Sequence, residues 1–393
     1  MKSILIIGPF FPPLTGVSVV NHALKDLLPK GKVNTINTHK HINLSSGQGS
    51  GFSLKKSVGF FSAYLQIGKI FRSDVVYLTP GQTFFGVLKY APFIILSCLL
   101  RKPIIFHLHG NYLGREYEGL NGLKKYIFRF LISRSSEAIV LSEGFKQNFG
   151  PFIAADKIHV LKNFVTDEIA DIDISEKDYS TLKLLYLSNL MKEKGILDFL
   201  DALAILKNRN INFQATIAGA IESDIVSEVE DRLSKLNGNV RYLHVVLGRE
   251  KETVLKESNI FVLPTYYKME GQPISLLEAM AAGNAVIVTR HAGIPEIVSE
   301  RNGLFAEANN PEDLADKIIS LFQSENLKQI GNNNKILINT AFRQDIFSKN
   351  ISDIFNRISP NSKVYYMAEG SSPEPVMMPG LKTDPLLFRK FDK

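Results

Sequence analysis

Short apolar runs alternate with longer stretches of mixed polarity along most of the chain. Such runs, bounded by turn residues, are typical of strands buried in a parallel sheet. In the first half they predict strands at Ile4–Gly8, Val33–Asn37, Val75–Leu78, Pro103–Leu108, Ala138–Leu141 and Ile158–Leu161. Helical stretches lie between most of these runs, so the pattern favours a sheet with helices on both faces. The first strand, a glycine-bearing loop and the helix Val17–Leu28 form the opening of a Rossmann-like unit.

The pattern changes near Asn163, and a second series of apolar runs follows. Residues Thr166–Thr181 are acidic and irregular, and they predict a linker. The later runs predict strands at Leu184–Leu187, Ala215–Ala218, Val240–His244, Ile260–Leu263 and Ala285–Val288. The chain is therefore predicted to be an α/β protein with two Rossmann-like domains, 1–165 and 166–345. An amphipathic helix, Ile346–Ile358, precedes residues 359–393, which are predicted to be a partly disordered tail.

The stretch Glu270–Gly283, E-G-Q-P-I-S-L-L-E-A-M-A-A-G, places two acidic residues around the start of a helix. Pro273 suits the first helical position, and the final glycine suits the helix end. Because Ile260–Pro264 predicts a buried strand, Glu270 is expected on the loop between strand and helix. A helix N-terminus attracts anions through its outward N–H groups and its dipole. An anion beside Glu270 and Glu278 suggests a ligand with a phosphate and several hydroxyls, such as a nucleotide-sugar; an ordinary strand–turn–helix unit is the alternative.

Composition excludes several classes of protein. The chain has 393 residues, 45% hydrophobic and 22% charged, which is typical of a globular protein. The longest apolar run, Ala91–Leu100, has ten residues and is too short to span a bilayer. The single cysteine, Cys98, excludes an internal disulfide and favours a reducing, cytoplasmic setting.

Charge is distributed unevenly between the two predicted domains. Residues 1–165 carry 20 Lys+Arg and 7 Asp+Glu, a net charge of +13, and the remaining residues net −6, which together make the overall +7. The basic first domain suggests an anionic partner, either a membrane surface or a phosphate-bearing lipid acceptor. Nucleic acid is not expected, because the basic residues accompany no recognised motif.

Other candidate residues follow predicted strands. The stretch His107-Leu108-His109-Gly110 ends one strand, and side-chain alternation sends only one of its histidines toward a given face. Lys194 lies between a strand and a helix that starts near Ile196, where it can meet a phosphate. A structural role for the histidines and a surface position for the lysine are the alternatives.

Two further patterns have competing interpretations. Asp171 and Asp173 form a D-x-D pair, which elsewhere can hold a divalent metal, but in a polar linker it is predicted to be solvated charge. The segments Gly119–Arg134 and Phe52–Arg72 combine aromatic and basic residues, so each is either an interfacial helix or an amphipathic helix covering the sheet. The stretch Ser45–Gly51 predicts a flexible loop.

Taken in order and spacing, these motifs resemble the family 4 retaining glycosyltransferases of the GT-B fold. The resemblance covers residues 1–358, and its most specific element is Glu270–Gly283, which matches the family's E-x7-E region and A-M-A-A-G. The supporting matches are Pro12–Gly16 (P-P-L-T-G), His107–Gly110 (H-L-H-G), Lys194-Gly195 (K-G), Ala292–Val298 (A-G-I-P-E-I-V) and Asn302–Phe305 (N-G-L-F). The resemblance implies two domains facing each other across a cleft, with Ile346–Ile358 crossing back to the first domain.

The resemblance also implies roles for individual residues. Glu270 is expected to lie against the donor sugar, Lys194 to stabilise charge on the leaving diphosphate, and His109 to face the transferred sugar. Glu278 is expected to bind the ribose hydroxyls of the donor. The other residues expected at the donor are Gly16, Asn189, Gly271, Gln272, Pro273 and Ile274.

Two positions depart from the family's pattern. Asn189 stands where the family often has an arginine that grips phosphate, and an asparagine donates a hydrogen bond without the charge. Gly16 stands alone where the family often has a pair of glycines.

The implied reaction is transfer of a sugar from a UDP- or GDP-linked donor to a hydroxyl of a glycan or lipid-linked acceptor, with retention, in bacterial surface polysaccharide assembly. No metal and no cofactor are expected, because Lys194 and a helix terminus would stabilise the diphosphate. The protein is expected in the cytoplasm, peripheral on the inner face of the membrane. A nucleotide-sugar epimerase and a non-catalytic two-lobed sugar-binding protein are the alternatives, although the latter would usually need a signal peptide, which the N-terminus does not resemble.

Overall fold

The structure is a computed structural model that describes residues 3–11, 15–28, 31–39, 60–236 and 238–358. Within these residues the chain forms two six-stranded sheets with helices packed against them. All strand pairings in both sheets are parallel. The prediction of an α/β protein with two Rossmann-like domains is confirmed.

The first sheet has the strand order β2-β1-β3-β4-β5-β6. Its strands are β1 (Ile4–Gly8), β2 (Val33–Asn37), β3 (Val75–Leu78), β4 (Ile104–His107), β5 (Glu137–Val140) and β6 (Ile158–Val160). Its helices are Gly16–Leu27, Phe84–Leu88, Ala91–Leu99, Leu113–Gly119 and Gly122–Ile132, with 3-10 turns at Ile67–Arg72, Glu143–Asn148 and Ala155–Lys157. The helices between residues 84 and 132 form a core with one sheet face, and Gly16–Leu27 covers the other.

The second sheet has the order β12-β11-β10-β7-β8-β9, so the direction of chain progression reverses between the neighbouring strands β7 and β10. Its strands are β7 (Lys183–Leu187), β8 (Gln214–Ala218), β9 (Val240–Tyr242), β10 (Ile260–Leu263), β11 (Ala285–Thr289) and β12 (Gly303–Ala306). Its helices are Asp167–Ala170, Ile196–Asn208, Val226–Lys235, Gly248–Glu257, Ile274–Ala281, Pro311–Gln323 and Leu327–Ala341, with 3-10 turns at Lys192–Lys194 and Ile294–Glu296.

The last described helix, Gln344–Ile358, returns to the first domain. The ring of Phe347 lies 4.5 Å from that of Phe164, and the ring of Phe355 lies 6.1 Å from that of Tyr77 on β3. The apolar stripe predicted for this helix therefore completes the core on the sheet face that Gly16–Leu27 covers. The predicted crossing to the first domain is confirmed.

The segment Thr166–Thr181 is less linker-like than its sequence predicts. Its apolar residues Ile169 and Ile172 are buried in the core of the second domain. Lys177 is also buried, and its ammonium donates at 3.0 Å to two carbonyls at the C-terminal end of the helix Gly248–Glu257. The prediction of an irregular polar linker is wrong for these positions, because isolated apolar residues in an acidic stretch carry no recognisable period.

One strand was missed because it contains a glycine. Gly303 begins β12, and a Cβ at this position would lie 1.8 Å from the carbonyl oxygen of Val286 on β11. A glycine permits this close backbone approach while lowering strand propensity in the sequence. Several predicted features lie outside the described residues, namely Pro12–Leu14, Ser45–Gly51, residues 52–59 and the tail 359–393.

Candidate active site

Two predicted site residues lie on the loops that follow β7 and β10, the neighbouring strands at which the strand order of the second sheet changes direction. Lys194 follows β7, and Glu270 follows β10, and these strands are neighbours. In doubly wound sheets the crevice beyond the carboxyl ends of such strands is the place where ligands bind. Parallel pairing alone therefore brings Lys194 and Glu270 to the same edge, although 76 residues separate them.

Lys194 and Glu270 form a shielded ion pair. The Nζ of Lys194 donates to Oε2 of Glu270 at 2.6 Å, and only 15% and 7% of the two side chains are exposed. The hydroxyl of Thr265 donates to the same carboxylate oxygen at 3.1 Å. The ammonium also lies 5.2 Å from the ring centre of Tyr267, an arrangement that attracts a cation. The lysine is therefore held inside the crevice by contacts that an incoming anion can replace.

Gly195 allows the loop after β7 to pack closely against the loop after β10. Its φ of +78° is in the left-handed region, and a Cβ would lie 2.4 Å from the carbonyl oxygen of Pro264. Any other residue would strain the backbone and push the β7 loop away from the β10 loop. The glycine thereby places Lys194 within reach of Glu270.

The helix Ile274–Ala281 starts at the cleft. Pro273 is its N-cap residue, with φ −63° and ψ 120°, so the helix starts at Ile274, one residue later than the sequence predicts. Among the described residues no side chain caps this N-terminus. A Cβ at Gly16, the first residue of the helix Gly16–Leu27, would lie 3.6 Å from Cδ1 of Ile274. The first residues of the two helices thus lie close together across the domains, and a helix N-terminus favours negative charge.

Glu278 lies on the second turn of this helix and is buried. Its Oε1 accepts a hydrogen bond of 2.6 Å from Nζ of Lys251, and the two side chains are only 10% and 21% exposed. Lys251 comes from the helix Gly248–Glu257, which follows β9. A carboxylate fixed in this way presents its remaining oxygen lone pairs in a defined direction, which suits recognition of hydroxyl groups.

Gly271 brings the domains into backbone contact. A Cβ at this position would lie 2.2 Å from the carbonyl oxygen of His109 in the first domain. Asn111, two residues after His109, donates its N–H to the carbonyl of Glu270 at 3.0 Å. The loop that carries the candidate carboxylate is therefore held from both domains.

The side chain of Gln272 forms hydrogen bonds with the first domain. Its Nε2 donates to the carbonyl of Leu141 at 2.8 Å, and its Oε1 accepts the N–H of Asn163 at 3.0 Å. Its backbone carbonyl accepts from Nδ2 of Asn163 at 2.8 Å. A donor contact through the backbone N–H of Gln272 stays a prediction.

The two histidines differ in their surroundings. His107 is fully buried at the end of β4, and its Nδ1 bonds the hydroxyl of Tyr77. His109 lies beside the Gly271 loop, and both of its ring nitrogens are shielded from water and have no hydrogen-bond partner among the described residues. Burial lowers the pKa of His109 to about 3, so its ring is neutral at physiological pH. A shielded polar group without a partner is costly, and a bound ligand can satisfy it.

The remaining predicted residues have simpler positions. Asn189 lies in the loop that carries Lys194, and its carbonyl accepts the N–H of Met191 at 3.0 Å. Asp171 pairs with Arg343 at 2.7 Å, and Asp173 accepts bonds from Ser175, so the D-x-D pair holds local structure. In the part of the chain that the structure describes, no group of three or more metal-ligating side chains occurs. No helix in that part is long and apolar enough to cross a membrane.

Comparison with known proteins identifies the second domain. Residues 167–337 match the model of the family described as glycosyl transferases group 1. The second domain belongs to this glycosyltransferase family. The region includes Lys194, Lys251, Glu270 and Glu278, so the two ion pairs lie inside the matched part.

Relatives of this glycosyltransferase domain include named bacterial glycosyltransferases. The amylovoran biosynthesis glycosyltransferase AmsK of Erwinia amylovora is 27% identical over 52% of this chain and 52% of its own length. The N,N'-diacetylbacillosaminyl-diphospho-undecaprenol alpha-1,3-N-acetylgalactosaminyltransferase of Campylobacter jejuni is 28% identical over 62% of this chain and 65% of its own length. The alignments with these curated relatives thus span about half to two thirds of their length.

The fold of most of the chain is similar to that of several solved structures. Anabaena Alr3699/HepE in complex with UDP-glucose has a TM-score of 0.69 at 16% identity, covering 92% of this chain and 100% of that chain. WaaG, a glycosyltransferase involved in lipopolysaccharide biosynthesis, has a TM-score of 0.63 at 12% identity, covering 91% of this chain and 99% of that chain. Together with the family match, they confirm the resemblance to family 4-like glycosyltransferases and the GT-B fold.

Sequence reasoning missed several residues of the candidate site. Thr265 directly follows the predicted strand Ile260–Pro264, so its place at a strand end was a usable signal. Tyr267 shares that loop. Lys251 carried no signal, because it lies 27 residues before Glu278 on a separate helix and meets it only in three dimensions.

Proposed function

We propose that the chain transfers a sugar from a nucleotide diphosphate donor to a hydroxyl of a glycan or lipid-linked acceptor, with retention of anomeric configuration, in the assembly of a bacterial surface polysaccharide. The observation that carries this proposal is the Lys194–Glu270 pair near two helices whose first residues lie close together across the domains. That arrangement offers positive charge for a diphosphate and a carboxylate for sugar hydroxyls within one crevice.

Each end of the donor has candidate partners. The diphosphate would lie between the helix starts at Gly16 and Ile274, where Lys194 turns from Glu270 toward a phosphate oxygen. Glu270 would then accept hydroxyl groups of the sugar. Glu278, oriented by Lys251, would accept the ribose hydroxyls.

The first domain would also contact the transferred sugar. The neutral ring of His109 would bond the transferred sugar through a nitrogen that has no other partner among the described residues.

In a front-face transfer, the acceptor hydroxyl attacks the anomeric carbon on the side from which the diphosphate leaves. The bond from that carbon to the leaving oxygen breaks, and the leaving phosphate takes the hydroxyl proton. The protein then mainly positions the reactants and stabilises the diphosphate charge, so we propose that no divalent metal is needed.

The comparisons support the donor class and the pathway. The HepE structures, similar in fold at 16% identity, are complexes with UDP, UDP and glucose, and UDP-glucose. Several relatives are named for amylovoran, colanic acid or capsular polysaccharide biosynthesis. A relative that acts on an undecaprenol-linked sugar supports a lipid-linked acceptor. We also propose that the protein acts in the cytoplasm, peripheral on the inner face of the membrane, and the net charge of +13 on residues 1–165 supports this proposal.

The first test is thermal stabilisation by UDP, GDP, ADP and CMP, each with a chelator present. A nucleotide at 100 times its dissociation constant adds about 2.7 kcal/mol to the free energy of unfolding. Stabilisation by one diphosphate nucleotide supports the donor class and metal-free binding. No stabilisation by any nucleotide, in a folded sample, overturns the proposal in favour of a sugar-binding protein.

The second test is turnover with the nucleotide-sugar selected in this way. Lys194→Met and Glu270→Gln are expected to lower turnover at least about a hundredfold, because each removes a group aimed at developing charge. Lys192→Met is the matched control, since Lys192 lies in the same 3-10 turn but is exposed. Conversion of the donor alone, without an acceptor, would instead indicate an epimerase.

A further inference from the structure

The first domain has an unusual share of exposed apolar side chains. Of twelve large hydrophobic side chains exposed among the described residues, ten precede residue 165. Six of these lie on the three helices Phe84–Leu88, Ala91–Leu99 and Gly122–Ile132. We call these six the docking face: Phe85, Ile95, Leu99, Leu123, Tyr126 and Phe130. Single exposed apolar residues are ordinary on proteins, but a contiguous group marks an interaction site.

On each of the two longer helices, the exposed apolar side chains follow helical spacing and lie apart from the buried ones. On the helix Gly122–Ile132 the exposed positions 123, 126 and 130 follow helical spacing, while Phe128, Leu131 and Ile132 face the core. On Ala91–Leu99 the exposed positions 95 and 99 are one turn apart, and Phe93 and Ile94 are buried. The helix Gly122–Ile132 contacts both of the other helices. Both longer helices are thus apolar on the face away from the sheet as well as on the face toward it.

The surroundings of the docking face are basic. Residues 84–102 and 120–134 contain seven lysines and arginines and no aspartate or glutamate. The guanidinium of Arg134 lies 4.7 Å from the ring centre of Phe130, and the ammonium of Lys124 lies 5.9 Å from that of Phe84. Cations that stay beside aromatic rings at an apolar surface combine the two properties that bind a protein to anionic lipid.

We propose that the docking face seats the first domain on an anionic lipid bilayer, with its apolar side chains in the headgroup region and its cations at the lipid phosphates. A bilayer fits better than a second copy of this chain, because a symmetric pairing would bring two predominantly basic surfaces together. This inference deepens the membrane location within the proposed function, but it rests on the surface alone and does not require that the catalytic proposal be correct.

One helix of the docking face begins beside a contact between the two domains. Thr83 caps the helix Phe84–Leu88, and the residue before it, Gln82, accepts the N–H of Tyr112 at 2.6 Å and reaches the carbonyl of Met269 in the second domain. The helix that carries Phe85 therefore starts at the domain interface. Seating this face on a bilayer would hold the cleft beside the membrane surface, where a lipid-linked acceptor presents its sugar.

The test is flotation of the full chain with vesicles of phosphatidylcholine, with and without phosphatidylglycerol. Binding is expected to vesicles that contain phosphatidylglycerol, and it is expected to weaken with added salt, because salt screens charges at the surface. Replacing Leu123 and Tyr126 together by Glu is expected to lower binding at least about tenfold, since two apolar contacts become charged. Replacing Lys124 and Arg129 by Gln should reduce binding to the anionic vesicles only.

The second domain provides the matched control. Val245 and Ile336 are also exposed apolar residues, at 48% and 62%. Val245→Glu and Ile336→Glu should bind vesicles like the wild type, and circular dichroism checks that all variants are folded. Equal binding by all variants, or no binding to either vesicle, overturns the proposal. Light scattering that shows a dimer separated by the Leu123 and Tyr126 substitutions would also overturn it and assign the face to a second copy.

Discussion

The Lys194–Glu270 pair allows a quantitative test of the site's electrostatics. Its charged atoms lie 2.6 Å apart, and the two side chains are 15% and 7% exposed. Removing one partner of a buried pair leaves the other charge without compensation, which typically costs about 3 to 5 kcal/mol. Since Lys194 retains some exposure, we expect Lys194→Met to lower the free energy of unfolding by about 3 kcal/mol and Glu270→Gln by about 2 kcal/mol.

The double substitution is the informative measurement. With both charges removed, no uncompensated charge stays in the crevice, so the double variant should lose only about 2 kcal/mol, well below the sum of the single losses. The coupling free energy is then about 3 kcal/mol. The chain has no tryptophan, so urea unfolding would be followed by circular dichroism and tyrosine fluorescence.

A surface pair within the same domain is the control. Lys235 and Asp231 are 2.7 Å apart, but their side chains are 69% and 56% exposed. The same cycle with Lys235→Met and Asp231→Asn should give a coupling below about 1 kcal/mol, because water screens the pair. If single and double losses at Lys194 and Glu270 are additive within about 0.5 kcal/mol, the pair does not form in solution and the reasoning is refuted.

Three further predictions follow from the structure. Burial lowers the pKa of His109 to about 3, so between about pH 3 and pH 6.5 this histidine is protonated in the unfolded chain and neutral in the folded one. The free energy of unfolding should therefore fall as the pH drops below about 6.5. His109→Gln should reduce the slope of this fall by about 1.4 kcal/mol per pH unit, measured by unfolding at a series of acid pH values. Burial likewise lowers the pKa of Lys177 to about 7, so the free energy of unfolding of the wild type should rise between about pH 7 and pH 10 more than that of Lys177→Met. Urea unfolding across that range measures both slopes, and equal slopes for the two proteins would contradict this prediction. Gly271→Ala places a Cβ 2.2 Å from the His109 carbonyl, whereas Gly119→Ala meets no atom within 4 Å; only the former should widen the interdomain cleft in X-ray scattering and weaken nucleotide binding.

Local features were predictable because they depend on residues close together in sequence. The buried strand β10 and the helix after it follow from an apolar run and from the proline and glycine that bound the helix. The strand Ile260–Leu263 was predicted with its observed bounds, and the helix start was misplaced by one residue because Pro273 serves as the cap. The anion-attracting helix start at Ile274 was a local inference of the same kind.

Gaps in prediction occurred where local pattern is weak. The strand Gly303–Ala306 begins with a glycine that the neighbouring backbone requires, and glycine hides a strand in the sequence. Lys177 looked like part of a solvated acidic segment, yet its stem is buried and its ammonium bonds helix carbonyls. In both cases the deciding contact involves a distant part of the chain.

The sequence by itself determined the two Rossmann-like domains, the strand-end positions of Lys194 and His109, and the place of Glu270 before a helix N-terminus. Only the tertiary structure decided which side chains meet. Lys194 reaches Glu270 because β7 and β10 are neighbours in the sheet, and Lys251 reaches Glu278 from another helix. His109 approaches Gly271 only because the two domains touch. Local propensity depends on neighbours in the chain, whereas these pairings depend on parallel crossovers and domain packing, which join residues that no short sequence pattern connects.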